Sequence, residues 1–99
     1  MIRELLEKSD SMGYREKTEW QLCTSYILLS LEQPEQALIY LNVLEKEKDS
    51  PFYDDIRWYL AMAYLQMEDT TRGKQILEEL KEKGTKEFAN RAEGVLDRL

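Results

Sequence analysis

Apolar residues recur along this chain at intervals of three and four, the spacing that lines up one face of a helix. Ile2, Leu5 and Leu6 give that spacing to residues 1–8, and Ser9 to Gly13 then supply turn-forming residues. From about Arg15 to Leu31 the face is formed by Trp20, Cys23, Thr24, Ile27, Leu28 and Leu31. Pro34 follows a polar break and opens a further helix, because a first-turn proline lacks only an N–H that would have no partner there. That helix carries Ala37, Leu38, Leu41 and Leu44. Residues 46–49 read as a solvated linker, and Ser50, Pro51, Asp54 and Asp55 as a helix start. The next helix places Ile56, Leu60, Ala63, Tyr64 and Met67 inward. Asp69 caps a helix with Ile76, Leu77 and Leu80, which Gly84 is expected to end in the left-handed conformation. Thr85 then caps a last helix over 86–99, with Phe88, Ala92, Val95, Leu96 and Leu99 in one stripe. The expectation is six helices and no strand.

The pattern repeats. Shifting the chain by 36 residues lays Leu29 on Leu65, Glu32 on Glu68, Leu41 on Leu77, Leu44 on Leu80, Phe52 on Phe88 and Leu60 on Leu96. Turns fall on turns, and small residues fall on small ones, Ser25 on Ala61 and Ala37 on Gly73. A helical pair that cannot cover its own apolar faces gains by stacking on a copy of itself. The chain therefore divides, as one domain over 1–99, into an N-terminal helix and turn (1–13), a first repeat (14–49), a second repeat (50–84) and a capping helix (85–99).

Composition narrows the function classes. Ninety-nine residues fit one modest core. A net charge of -6 repels phosphate backbones and argues against nucleic acid as partner. Cys23 stands alone, so no internal disulfide can form. No apolar run approaches the roughly 20 residues that span a bilayer, so no direct membrane insertion is expected in this segment. There is no histidine, the commonest general base and a frequent metal ligand. Cys23 falls on an apolar helix face and reads as packing. Asp54, Asp55, Glu68 and Asp69 sit at helix starts or turns, where the helix dipole accounts for them. The four glycines are isolated, with no phosphate-binding loop. Neither an enzyme, a cofactor nor a bound metal is expected.

The second repeat, with Leu60, Ala61 and Tyr64, then Glu68 and Asp69, then Gly73, Leu77 and Leu80, resembles a tetratricopeptide repeat. The resemblance spans about 18–99 and is looser in the first repeat, which has Thr24, Ser25 and Leu28 at the corresponding places. Gln21 and Arg57 stand where the family's usual tryptophan would be. The resemblance implies an all-α fold of helix-turn-helix units stacked as a short solenoid, with Ala61 and Gly73 allowing close helix approach. The phrase from Ser50 to Asp69 also resembles repeats in the C-terminal tails of some bacterial membrane-anchored proteins. The compartment stays open between cytoplasmic, for a complete chain, and periplasmic, for a fragment of such a protein.

Stacked units would present a groove formed by their first helices. In the repeat frame it holds Glu19, Leu22, Tyr26 and Leu29, then Asp55, Trp58, Met62 and Leu65, then Arg91 and Arg98. Leu22, Tyr26, Trp58, Met62 and Leu65 are the candidate partner-binding residues, since aromatic and Met side chains supply large anchors. The family's clamp for acidic C-terminal peptides uses Lys, Asn and Arg at such places, which Leu22, Tyr26, Trp58 and Tyr59 do not provide. The function expected is a non-catalytic scaffold for a protein or peptide segment. The alternatives are a homodimerisation or assembly domain, a small dedicated chaperone for a secreted bacterial protein, and coverage of the same face by the N-terminal helix.

Overall fold

The computed structural model describes residues 14–99, with side chains from Lys17 onward; the helix expected over 1–8 lies outside them. Five helices and no strand occur among the described residues: α1 (Tyr14–Ser30), α2 (Pro34–Leu44), α3 (Tyr53–Gln66), α4 (Thr70–Lys83) and α5 (Lys86–Leu96). Each helix packs on the next in sequence, and α3 also touches both α1 and α5. The arrangement is thus two layers, α1, α3 and α5 in one and α2 and α4 in the other.

The two hairpin turns are built alike. Glu32 and Glu68, 36 residues apart in sequence, both take positive φ, 58° and 63°. The Glu32 N–H donates to the Leu29 carbonyl at 3.1 Å and the Gln33 N–H to the Leu28 carbonyl at 2.8 Å. Glu68 and Asp69 repeat this onto Leu65 at 3.1 Å and Tyr64 at 2.9 Å. These are Schellman pairs of bonds, which close the last carbonyls of a helix through one left-handed residue. The left-handed positions are therefore the two glutamates. Gly84 instead is extended, at φ -74° and ψ 169°. What requires glycine there is space, since a Cβ would lie 2.6 Å from the Leu80 carbonyl oxygen.

Pro34 does open α2, and the Asp69 carboxylate accepts from the Arg72 N–H at 3.2 Å as a helix cap. Two expected caps work differently. The Ser50 hydroxyl accepts from the Phe52 N–H, fixing the turn before α3 rather than the helix itself. Thr85 occupies the cap position of α5 without a side-chain bond, and its N–H donates to the Asp54 carboxylate at 2.9 Å. That bond ties the start of α5 to the first turn of α3. The last helix ends at Leu96, short of the expected Leu99.

The core is a continuous cluster of Leu28, Leu29, Ala37, Leu41, Leu44, Ile56, Leu60, Ala61, Ala63, Ile76, Leu77, Leu80 and Ala92. Gly73 is buried against it, where a Cβ would meet Leu65 Cδ2 at 2.9 Å and the Ala61 carbonyl oxygen at 3.3 Å. The close approach of α3 and α4 expected from Ala61 and Gly73 is present. Arg57 pairs with both Glu45 and Glu79, joining α3 to the end of α2 and to α4. Its side chain is only 13% exposed.

The face of α1 is rotated from the expected one. Thr18, Thr24, Ser25, Leu28 and Leu29 are buried, whereas Cys23, Ile27 and Leu31 are exposed. Thr24 and Ser25 enter the core because each hydroxyl donates to the carbonyl four residues back, of Trp20 and Gln21. A hydroxyl satisfied by its own helix can be buried without an unpaired donor.

Candidate functional site: an aromatic groove between α1 and α3

The sides of α1 and α3 that face away from α2 and α4 meet in a shallow depression of about 440 Å³. Tyr26, Leu29 and Ser30 line it from α1, and Trp58, Tyr59, Met62, Leu65 and Gln66 from α3. A second depression of about 330 Å³ adjoins it, lined by Leu22, Cys23, Tyr26, Ile27 and Tyr59. Tyr26 and Tyr59 belong to both. All five candidate residues, Leu22, Tyr26, Trp58, Met62 and Leu65, therefore line this one continuous surface.

Packing on the repeat frame explains why. Successive helices of the layer formed by α1, α3 and α5 lie side by side, so positions 22, 26 and 29 of α1 approach 58, 62 and 65 of α3. Tyr26 is 56% exposed, and its ring lies 5.9 Å from that of Tyr59 with a 59° tilt between planes. Such tilted pairs match the positive edge of one ring to the negative face of the other. Leu29 is nearly sealed and forms the floor. The Gln66 amide donates to the Leu29 carbonyl at 3.0 Å, a bond from α3 onto the last turn of α1 that fixes the width of the depression at that end.

Trp58 is not a free anchor. It is half-buried against the core, 6.4 Å from the Phe88 ring of α5, and the guanidinium of Arg91 lies 5.4 Å from the other partner, Phe88. Its indole thus belongs both to the groove and to the packing of the last helix, and packing does account for part of it. Among the remaining groove positions from the repeat frame, Asp55 stands at the α3 start, while Glu19, Arg91 and Arg98 are exposed and line neither depression.

Burial, together with the nearby charges of Asp54 and Glu87, raises the Asp55 carboxyl above its ordinary value, against the opposing effect of Arg91. Burial also raises the Tyr59 phenol, helped by Asp55 and Tyr26. Cys23, Ile27, Ser30, Tyr59 and Gln66 are the groove residues that the repeat frame missed. Tyr59 lies in register with Cys23, and both line the second depression.

No described helix is long and apolar enough to cross a membrane. Among the described residues no three His, Cys, Asp or Glu side chains converge as metal ligands would. Comparison with family models, with curated protein sequences and with solved structures returns no match.

Proposed function

We propose that the chain is a tetratricopeptide-like solenoid, a non-catalytic scaffold that holds a protein segment in the groove between α1 and α3. The observation that carries this reading is the convergence of Leu22, Tyr26, Tyr59, Trp58, Met62 and Leu65, from two helices, on one open surface. Two features support the solenoid: the same hairpin turn recurs after 36 residues, and α3 touches both of its layer neighbours, α1 and α5. The lining supports a protein partner over a small polar substrate. Aromatic rings and a Met offer large contact area at low ordering cost, and they are surrounded by few groups able to do acid–base work.

The partner segment is one that brings aliphatic or aromatic anchors into both depressions, with Tyr26 and Tyr59 standing between them. Selection from a displayed peptide library, followed by methyl and ring NMR of the complex, tests this. Enriched peptides carrying such anchors should shift the Met62 methyl and the rings of Tyr26 and Tyr59, and Tyr26→Ala should abolish their binding while lowering stability only by the tilted Tyr59 contact, about 0.5–1.5 kcal/mol. Shifts confined to the α2 and α4 layer would sink the reading.

A further inference from the structure

Both depressions of the groove are lined by uncharged side chains, yet the groove runs between two acidic ends. At one end Asp55 lies half-buried one turn before Tyr59 on α3. The charges that act on its carboxyl are Asp54 and Glu87, which are like, and Arg91, which is opposite. Arg91 is already engaged, since its guanidinium donates to Glu87 at 2.9 Å and stands 5.4 Å from the Phe88 ring. At the other end, Glu32 and Glu68 hold the left-handed positions of the two turns. The N–H of each donates to the carbonyl of a groove residue, Leu29 or Leu65, and both glutamates are exposed. Arg72, beyond the second turn, is engaged with Asp69 and lies over the Tyr64 ring.

We infer that the segment held in the groove is basic: its apolar anchors fill the two depressions, and flanking lysine or arginine residues meet Asp55 at one end and Glu32 and Glu68 at the other. The inference rests on the function proposed above and adds to it the charge of the partner. Charges at the rim of an interface act mainly by steering and by selecting partners. An acidic segment with the same anchors would set carboxylate against carboxylate and be rejected. Tyr26, exposed between the two ends, favours the same partner, because an aromatic face attracts a cation. Asp55 and Glu68 stand at opposite ends of α3, about 20 Å apart at 1.5 Å per residue. An extended chain covers that distance in about six residues, which sets the spacing between the two basic flanks.

Three pools of synthetic peptides test the charge. They share a random core of about six residues drawn from Leu, Phe, Met, Ser and Thr, and differ only in flanks of Lys, Gln or Glu. Each pool is titrated into the full chain, and the Met62 methyl and Tyr26 ring resonances report binding. The Lys-flanked pool should bind about tenfold more tightly than the Gln-flanked pool, and the Glu-flanked pool more weakly than either. The advantage of Lys should shrink between about 0.1 M and about 1 M salt. Glu32→Gln combined with Glu68→Gln, and separately Asp55→Asn, should each lower that advantage about threefold. Equal affinity of the three pools, or preference for Glu, would overturn the inference and leave the groove reading standing. No shift with any pool would overturn both. Lys-flanked binding that survives Tyr26→Ala would also overturn the inference, by assigning the attraction to the chain's net charge of -6 at large.

Discussion

Gly73→Ala sets two well-known effects of opposite sign against each other. Glycine in a helix interior costs about 1 kcal/mol relative to alanine, so propensity alone predicts stabilisation by that amount. At this position the added Cβ would lie 2.9 Å from Leu65 Cδ2, 3.0 Å from Leu65 Cγ and 3.3 Å from the Ala61 carbonyl oxygen. Rotating the end of Leu65 relieves only the first of these. Its Cγ moves only with χ1, and the carbonyl belongs to the backbone of α3, so the two helices must part or Leu65 must change rotamer. Overpacking of this kind costs about 1–3 kcal/mol, and the net expectation is destabilisation by about 1 kcal/mol once propensity is subtracted. Gly94→Ala is the control, because nothing lies within 4 Å of its Cβ and it sits in exposed α5. It should stabilise by up to about 1 kcal/mol. Paired urea titrations should therefore move in opposite directions, and melting temperatures should separate by several degrees, at about 4–8 °C per kcal/mol for a domain of this size. Leu65 also lines the groove, so Gly73→Ala should shift its methyl resonances and weaken peptide binding, whereas Gly94→Ala should do neither. If both substitutions stabilise equally, the close approach of α3 and α4 does not exist as described.

Other perturbations follow from single observations. Glu32→Gly and Glu68→Gly each remove a side chain from a left-handed residue and should each stabilise by about 0.5–1 kcal/mol in denaturant titrations. Asp69→Ala removes the α4 cap and should cost about 1 kcal/mol. Arg57→Met removes a mostly buried cation that joins three helices; the loss should be about 1–2 kcal/mol, and it should shrink in high salt because Glu79 is largely exposed. Asp55 should titrate above the ordinary carboxylate value in carbon-detected NMR, with Glu87→Gln lowering it and Arg91→Gln raising it further. Because its folded-state pKa is raised, the ionised form opposes folding; this cost is present above the folded pKa and is relieved as pH falls through it toward the unfolded value.

The helices were legible in the sequence because their breaks carry strong local chemistry. Pro34 and Asp69 act where those residue types act in general, and the turns they flank recur at the period that Glu32 and Glu68 mark. What the sequence hid were the choices that local propensity does not make. Glutamate is a poor candidate for positive φ, so the left-handed residue was sought at Gly84, where the chain needs room instead. On α1, apolar residues occupy more than one side, and the stripe of best periodicity includes Ile27 and Leu31, which are left exposed. Ser25 reads as polar, yet it is sealed because its hydroxyl is already satisfied. The groove was legible from register alone, since register fixes which side of α1 meets which side of α3. Its aromatic geometry was not, because the turn of Tyr59 onto Tyr26 is a rotamer choice settled by the neighbouring helix.

The groove and the fold share residues, and this shapes how a bound segment would be felt. Leu65 presses on Gly73 from its inner side while lining the groove with its outer side. Trp58 borders the groove and packs on Phe88 of α5, whose start is tied to Asp54 of α3 by the Thr85 N–H. Gln66 closes one end of the groove with the same side chain that fastens α3 to the last turn of α1. A segment seated there would contact groups that already hold α1, α3, α4 and α5 together, so its binding energy would add to the packing of the whole array, as linkage requires for any ligand of the folded state alone. Truncations therefore differ in what they report. Tyr26→Ala removes an exposed ring and reads binding, whereas Trp58→Ala removes a half-buried one and should lower both binding and stability, by about 1–3 kcal/mol for the latter. A Trp58→Ala chain that melts with the parent but no longer binds would show that the contact with Phe88 contributes nothing, and that the groove and the core are separable after all.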